Sequence, residues 1–326
     1  MKSVALFNNK GGVGKTTLAY HLGFMFAELG HRVVFADLDP QANLTAMCVA
    51  DERIEEIWKL KPRPTIYGAI EPLRRGGRDV VPPDPESISE KIVLLTGDLE
   101  LSEIEDDLAQ QWPRCLDGDE RAFRMTTALH RVVAEVGKRS GADVAVIDSA
   151  PSFGALNRVA MLASDHVVVP VAADAVSVRG LDNVGARLKT WREQWRDRRA
   201  CAPALEFDLP LGGMQALGYV LARHPAFMGR PIPSFQRWID RMPAAYRHSF
   251  DLPSDGALEV AADPLCLAQL KDYRSLIPMA QEARRPMFLL RPADGAIGGH
   301  QGAVREAYDD FRLLAATIIA RMGGLS

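Results

Sequence analysis

The segment best equipped for chemistry in this 326-residue chain is Lys10-Gly11-Gly12-Val13-Gly14-Lys15-Thr16-Thr17. Glycines let successive backbone N–H groups turn inward and present donors to phosphate oxygens. A helical apolar pattern follows (Leu18, Leu22, Met25, Phe26), and the positive end of its dipole adds to the same anion site. In such a loop Lys15 reaches the β- and γ-phosphates, and the Thr16 hydroxyl ligates Mg²⁺. Thr17 is expected either at the α-phosphate or capping its own helix. The general pattern G-x-x-x-x-G-K-[ST] has glycine where this chain has Asn9, and Lys10 stands directly before the glycine pair.

Two acidic segments follow apolar runs. Asp37-Leu38-Asp39-Pro40-Gln41-Ala42-Asn43 comes after Val33–Ala36, and Asp148-Ser149-Ala150-Pro151-Ser152 after Val144–Ile147. Transfer of a γ-phosphate needs charge neutralisation and a positioned water. Asp39 is expected to orient that water and to share the Mg²⁺ site with Thr16 and Asp148. Asp37 either joins the metal or caps the following turn.

The form K-G-G-x-G-K-[ST] resembles the deviant Walker A loop of the ParA/MinD family of P-loop ATPases, in particular the small Soj-type members. The D-x-D-P-Q-x-N and I-D-x-x-P-S segments are similar to that family's switch I and switch II, and Ile92–Leu108 to its "LLPGNLxLSxxExEL" stretch. The resemblance implies ATP and Mg²⁺ as ligands and a nucleotide-dependent homodimer. Lys10 would reach across the dimer to the partner's ATP, beside Lys15 and Asp39 as the catalytic set. Gly11, Gly12, Val13, Gly14, Lys15, Thr16 and Thr17 would hold the nucleotide. Pro40, Gln41, Asn43, Pro151 and Ser152 would move with the γ-phosphate. It further implies non-specific DNA binding, slow hydrolysis stimulated by a ParB-like or other adaptor protein, and a cytoplasmic, nucleoid-associated address. Because the chain begins at its first strand pattern, no sequence-reading DNA domain is expected ahead of it.

The elements that must position these residues are legible in outline. Val4–Phe7, Val33–Ala36, Val144–Ile147, Val167–Val171 and Leu217–Leu221 are apolar without alternation, as in strands covered on both faces. The intervening lengths suit crossover helices. The fold class is therefore α/β, a mostly parallel P-loop sheet sandwiched between helices, with small helical additions. Ile92–Leu95 and Met287–Leu290 are weaker strand candidates. Lys61–Asp84 and Pro203–Gly213 read as additions. Residues 223–264 read as a helical or irregular insertion within one P-loop domain spanning 1–326. Val304, Tyr308, Phe311, Leu314, Ile318 and Met322 form one stripe of a final amphipathic helix whose other face carries mixed charge, which favours core packing over a membrane anchor.

Composition narrows the function classes. Net charge is −3, so any nucleic-acid binding must come from a local cluster. The four cysteines are scattered, which suits a reducing compartment and offers no paired cluster ligands. No apolar run reaches the ~18–20 residues of a membrane helix. The best basic cluster is Arg187–Arg199, in which Trp191 and Trp195 would anchor a helix and leave the arginines outward. Arg192, Arg196 and Arg199, with Arg230, are the candidate DNA contacts, and a merely solvated helix face is the plain alternative. A MinD-type membrane-cycling ATPase, an amidating or carboxylating synthase on the same scaffold, and a cluster carrier are the competing readings.

Overall fold

A computed structural model describes residues 1–224, 226–227, 230–231, 233–253, 259–273 and 275–325. Its first half runs β1 (Lys2–Leu6), α1 (Lys15–Glu28), β2 (Val33–Leu38), α2 (Asn43–Cys48), α3 (Asp51–Lys59), α4 (Ile66–Arg74), β3 (Glu86–Ser89), β4 (Ile92–Leu95), α5 (Glu105–Arg114), α6 (Glu120–Thr126), α7 (Ala128–Arg139) and β5 (Val144–Ser149). The second half runs α8 (Ala155–Leu162), β6 (His166–Val171), α9 (Ala175–Ala200), β7 (Gln215–His224), β8 (Ala226–Phe227), β9 (Arg230–Pro231), α10 (Pro233–Ile239), α11 (Met242–Ser249), β10 (Cys266–Lys271), α12 (Ile277–Glu282) and α13 (Gly299–Arg321).

The main sheet has the order β10-β7-β6-β1-β5-β2-β4-β3, parallel throughout except at the β3–β4 edge. Its central strands bury both faces because each carries apolar side chains on both. Along β1, Ala5 and Phe7 join one core while Val4 and Leu6 join the other. The first core is closed by α4 through α9 together with α11, and the second by α1, α2, α12 and α13. Burial of this kind yields about 25 cal/mol per Å² of apolar surface, which is why unalternating runs settle in the middle of a sheet.

Three sequence expectations change. Met287–Leu289 forms a 3₁₀ turn after Pro286 rather than a strand; a short apolar run cannot be told from other buried structure by periodicity. The last strand is instead Cys266–Lys271, a half-exposed edge strand whose apolar signal is diluted by Gln269 and Lys271. Within Lys61–Asp84, helix α4 buries Ile66, Tyr67, Ile70 and Leu73 in the first core, so this stretch is no mere appendage. The stripe of α13 packs as expected, with Phe311, Leu314, Ile318 and Met322 buried in the second core.

Candidate functional site

The phosphate loop connects β1 to α1 at the carboxyl edge of the sheet, where ligands of open α/β sheets collect. Gly12 and Gly14 take φ of 75° and 84°, a left-handed conformation in which a side chain is strained. Gly14 is also the N-cap of α1, without a side-chain cap, so the first-turn N–H groups stay open to an anion. Buried Asn8 pins the loop: its Nδ2 donates to the Pro170 carbonyl at 2.7 Å and its Oδ1 accepts from the Lys10 N–H at 3.0 Å.

Behind the loop lies a compact acidic cluster. Parallel pairing of β2 with β5 sets Asp37 opposite Asp148. Asp37, Asp39 and Asp148 are all buried, with Lys15 as the nearby buried cation. Burial, followed by repulsion from Asp37 and Asp39, pushes Asp148 up to about 8, against the pull of Thr16 and Lys15. Burial likewise lowers the Lys15 ammonium, while Asp148 and Asp39 raise it. Neither Asp148 carboxylate oxygen has a hydrogen-bond partner at ordinary distance and angle, although both are buried. An orphaned buried carboxylate is a group that a divalent cation neutralises, although among the described residues no three acids, histidines or cysteines are arranged to hold a metal by themselves.

Asp37 resolves into the capping alternative. One oxygen accepts from the Thr45 N–H (2.8 Å) and hydroxyl (2.7 Å), and the other from the Asp39 N–H at 3.3 Å. Burial still raises it to about 6. Asp39 is left facing the cavity, one oxygen accepting from the Gln41 N–H at 2.9 Å. The segment between is strained, since Ala42 takes a φ of 52° at the start of α2. Gln41 Oε1 accepts from Asn43 Nδ2 at 3.0 Å.

The Pro151–Ser152 segment is held from behind. Asn157 Nδ2 donates to the carbonyls of Ala150 (2.5 Å) and Ser152 (2.7 Å). Glu105, the first residue of α5, accepts from the N–H groups of Ala155 (2.5 Å) and Leu156 (2.8 Å), capping α8. A Cβ at Gly154 would sit 2.3 Å from Glu105 Oε1, so a side chain there would push that carboxylate off the N–H groups it caps. Phe153 is half-buried against the first core, its ring edge-on to Phe7 at 5.9 Å and to Trp191 of α9 at 6.4 Å.

A cavity of about 620 Å³ joins these parts, lined by Gly11, Gly12, Lys15, Thr16, Thr17, Asp39, Gln41, Asn43 and Pro151 among others. Lys10 is turned aside from it: its ammonium pairs with Asp174 and donates to Ser177 Oγ at 3.2 Å. Asp174 is at the same time the N-cap of α9, accepting from the Ser177 N–H at 2.8 Å.

The arginine helix is α9. Trp191 and Trp195 are buried as expected. Arg196 and Arg199 are exposed and Arg192 half-buried. Arg198 departs from the outward reading, for it is buried against Trp112 and donates to the carbonyls of Trp112 and Gln194 at 2.8 and 2.9 Å. Lys189, Arg192 and Arg196 line a groove beside Ser249–Asp251, where Asp251 pairs with Lys189. The side chains of Arg223 and Arg230 lie outside the described residues. Glu105, Asn157 and Asp174 are the site-supporting residues that sequence reasoning assigned no role. Only Glu105 left a trace, inside the Ile92–Leu108 stretch.

Residues 1–199 match the family model described as AAA domain. The chain is 32% identical over 188 residues to the probable plasmid-partitioning protein ParA of Thermus thermophilus, covering 57% of this chain and 50% of that one. It is 30% identical over 184 residues to the sporulation initiation inhibitor protein Soj of Bacillus subtilis, covering 56% and 63%. The chain spans about half the length of the first curated relatives it matches. Among solved structures, the Corynebacterium diphtheriae protein DIP2308 superposes with a TM-score of 0.72 at 22% identity, covering 99% of both chains, a likeness of fold.

Proposed function

Because this chain belongs to the AAA domain family matched by residues 1–199, within the ParA/MinD group of P-loop proteins, we propose that it is an ATP-dependent dimerising switch of the ParA type, serving DNA partition or cargo positioning. The observation that carries this reading is the orphaned, buried Asp148 carboxylate beside Lys15 and below a loop with open N–H groups. That combination suits a triphosphate and its metal better than any neutral ligand.

In this reading the N–H groups of Gly11–Gly14 and of the first turn of α1 receive the phosphates, and Lys15 neutralises the β- and γ-oxygens. Thr16, Asp39 and Asp148 hold Mg²⁺, which supplies charge neutralisation between the phosphates. Asp39 orients the attacking water. Pro40, Gln41 and Asn43 on one side, and Pro151 and Ser152 on the other, sense whether the γ-phosphate is present. Lys10 leaves Asp174 and crosses to the partner subunit's ATP, so that dimerisation and ATP binding become one event. Hydrolysis is slow and is accelerated by an adaptor protein of ParB-like role. The arginines of α9, chiefly Arg192, Arg196 and Arg199, contact DNA phosphates without reading sequence. Burial of the apolar stripe of α13 in the second core supports this reading over a membrane-cycling one. No helix among the described residues is long and apolar enough to cross a membrane.

Calorimetric titration with ATP, with and without Mg²⁺, tests the reading. It requires Mg²⁺-dependent binding of ATP that Lys15→Ala abolishes. Binding indifferent to both changes would remove its basis.

A further inference from the structure

The lining of the cavity includes a guanidinium that the roles above leave unused. Arg285 is half-buried and lines the same cavity as Gly11, Gly12, Lys15 and Asp39. Among the described residues its side chain has neither an ion-pair nor a hydrogen-bond partner. An arginine brings five donors and a permanent charge. Half-burying them unpaired is unfavourable unless whatever fills the cavity supplies acceptors.

The backbone that presents Arg285 is fixed on both sides. One residue earlier, Arg284 takes a left-handed φ of 47°, and its guanidinium donates to the Val49 carbonyl and, at 3.1 Å, to Asp51. That ties the turn to the end of α2. Two residues later, the Met287 N–H donates to His21 Nε2 at 3.1 Å, and His21 Nδ1 donates to the Thr17 carbonyl at 2.6 Å. Position 285 is thereby registered on the first turn of α1. Fully buried His21, stacked on Phe311 at 5.0 Å, is held down to about 4 by burial. It therefore stays neutral, with one nitrogen donating and the other accepting. Of the two adjacent arginines, Arg284 is committed to holding the turn, and Arg285 is the one left free to meet a ligand.

We infer that Arg285 is a phosphate ligand acting in cis, its planar fork bonding β- or γ-phosphate oxygens in the cavity that Lys15 also lines; the inference rests on reading the cavity as an ATP site. The fork geometry suits two oxygens at once, which a lysine cannot reproduce. DNA phosphate is the rival occupant, but the arginine groove along α9 is lined by Lys189, Arg192 and Arg196, and Arg285 takes no part in it.

The test is calorimetric titration of the wild type, Arg285→Ala, Arg285→Lys and Lys15→Ala with ATP and AMP in the presence of Mg²⁺. The expected result is ATP affinity weakened on the order of tenfold in Arg285→Ala, with partial recovery in Arg285→Lys. AMP, which lacks β- and γ-phosphates, binds every variant, Lys15→Ala included, as it binds the wild type. Arg285→Ala binding ATP within about twofold of wild type overturns the inference, as does equal loss of ATP and AMP, the mark of a collapsed wall. If Lys15→Ala loses ATP while Arg285→Ala keeps it, only the Arg285 assignment falls. If the wild type itself binds no ATP, the reading of the cavity falls first.

Discussion

Lys10 and Asp174 form an ion pair within one chain, the loop lysine held by the residue that caps helix α9. On the proposed reading each lysine leaves its own aspartate before it reaches a partner's nucleotide, and the pair would then oppose dimerisation. Its side chains are 28% and 37% exposed, so its worth is that of a surface pair, about 0.2–1 kcal/mol. Asp174→Asn removes the charge and keeps a side chain able to cap. With two such pairs per dimer, the variant is expected to dimerise with ATP about two- to thirtyfold more tightly. Analytical ultracentrifugation checks this, and unchanged dimer affinity would mean that the pair plays no part in the switch.

Asp148 makes the nucleotide-free protein sensitive to pH. Its folded-state pKa of about 8 lies above the ordinary carboxylate value, so protonation favours the folded state. Its contribution is fully present below about pH 4 and is lost as pH rises through 8. Asp37, raised to about 6, acts in the same direction over a narrower window. Asp148→Asn is expected to stabilise the nucleotide-free chain at pH 8 by about 1–3 kcal/mol, to flatten the pH dependence, and to abolish Mg²⁺-dependent ATP binding. Thermal unfolding from pH 5 to 9 measures it. A variant less stable than wild type at pH 8 contradicts the assignment.

Gly154 and Glu105 should behave as one unit. Gly154→Ala drives a methyl group into the Glu105 carboxylate, and Glu105→Ala uncaps α8. Each change is expected to cost about 1–2 kcal/mol in urea unfolding. In the double variant the clash is gone, so the loss should fall well short of the sum. Strict additivity would show that the two do not interact.

The arginines of α9 divide by burial. Arg198→Ala removes two hydrogen bonds to buried carbonyls and the stack on Trp112, and is expected to destabilise by about 2 kcal/mol. Arg196→Ala should leave stability within about 0.5 kcal/mol while lowering the salt slope of DNA binding by about one. Fluorescence anisotropy across a salt series reads the second effect. An unaltered slope removes Arg196 from the DNA surface.

What could be read from the sequence was whatever is local. The loop from Lys10 to Thr17, the strand-end aspartates and the buried runs of β1, β2, β5, β6 and β7 each declare themselves within a few residues. The aromatic anchors of α9 followed from spacing alone. What escaped depends on contacts between distant positions. Asp174 matters because β1 and β6 are neighbours, Glu105 because α5 packs on α8, and His21 because Met287 folds back onto α1. Arg198 and Arg196 are two residues apart and alike in type. Only the position of Trp112 turns one inward. The strand at Cys266–Lys271 was missed because an edge strand needs no continuous apolar run.

The central claim is that two copies close around ATP and part when the γ-phosphate is lost. Light scattering behind size-exclusion chromatography tests it directly, on Asp39→Ala with ATP or ADP, and on the same variant carrying Lys10→Ala. The account predicts a dimer for Asp39→Ala with ATP, a monomer with ADP, and a monomer in either nucleotide once Lys10 is removed. A monomer under every condition, or a dimer indifferent to nucleotide and to Lys10, would contradict it.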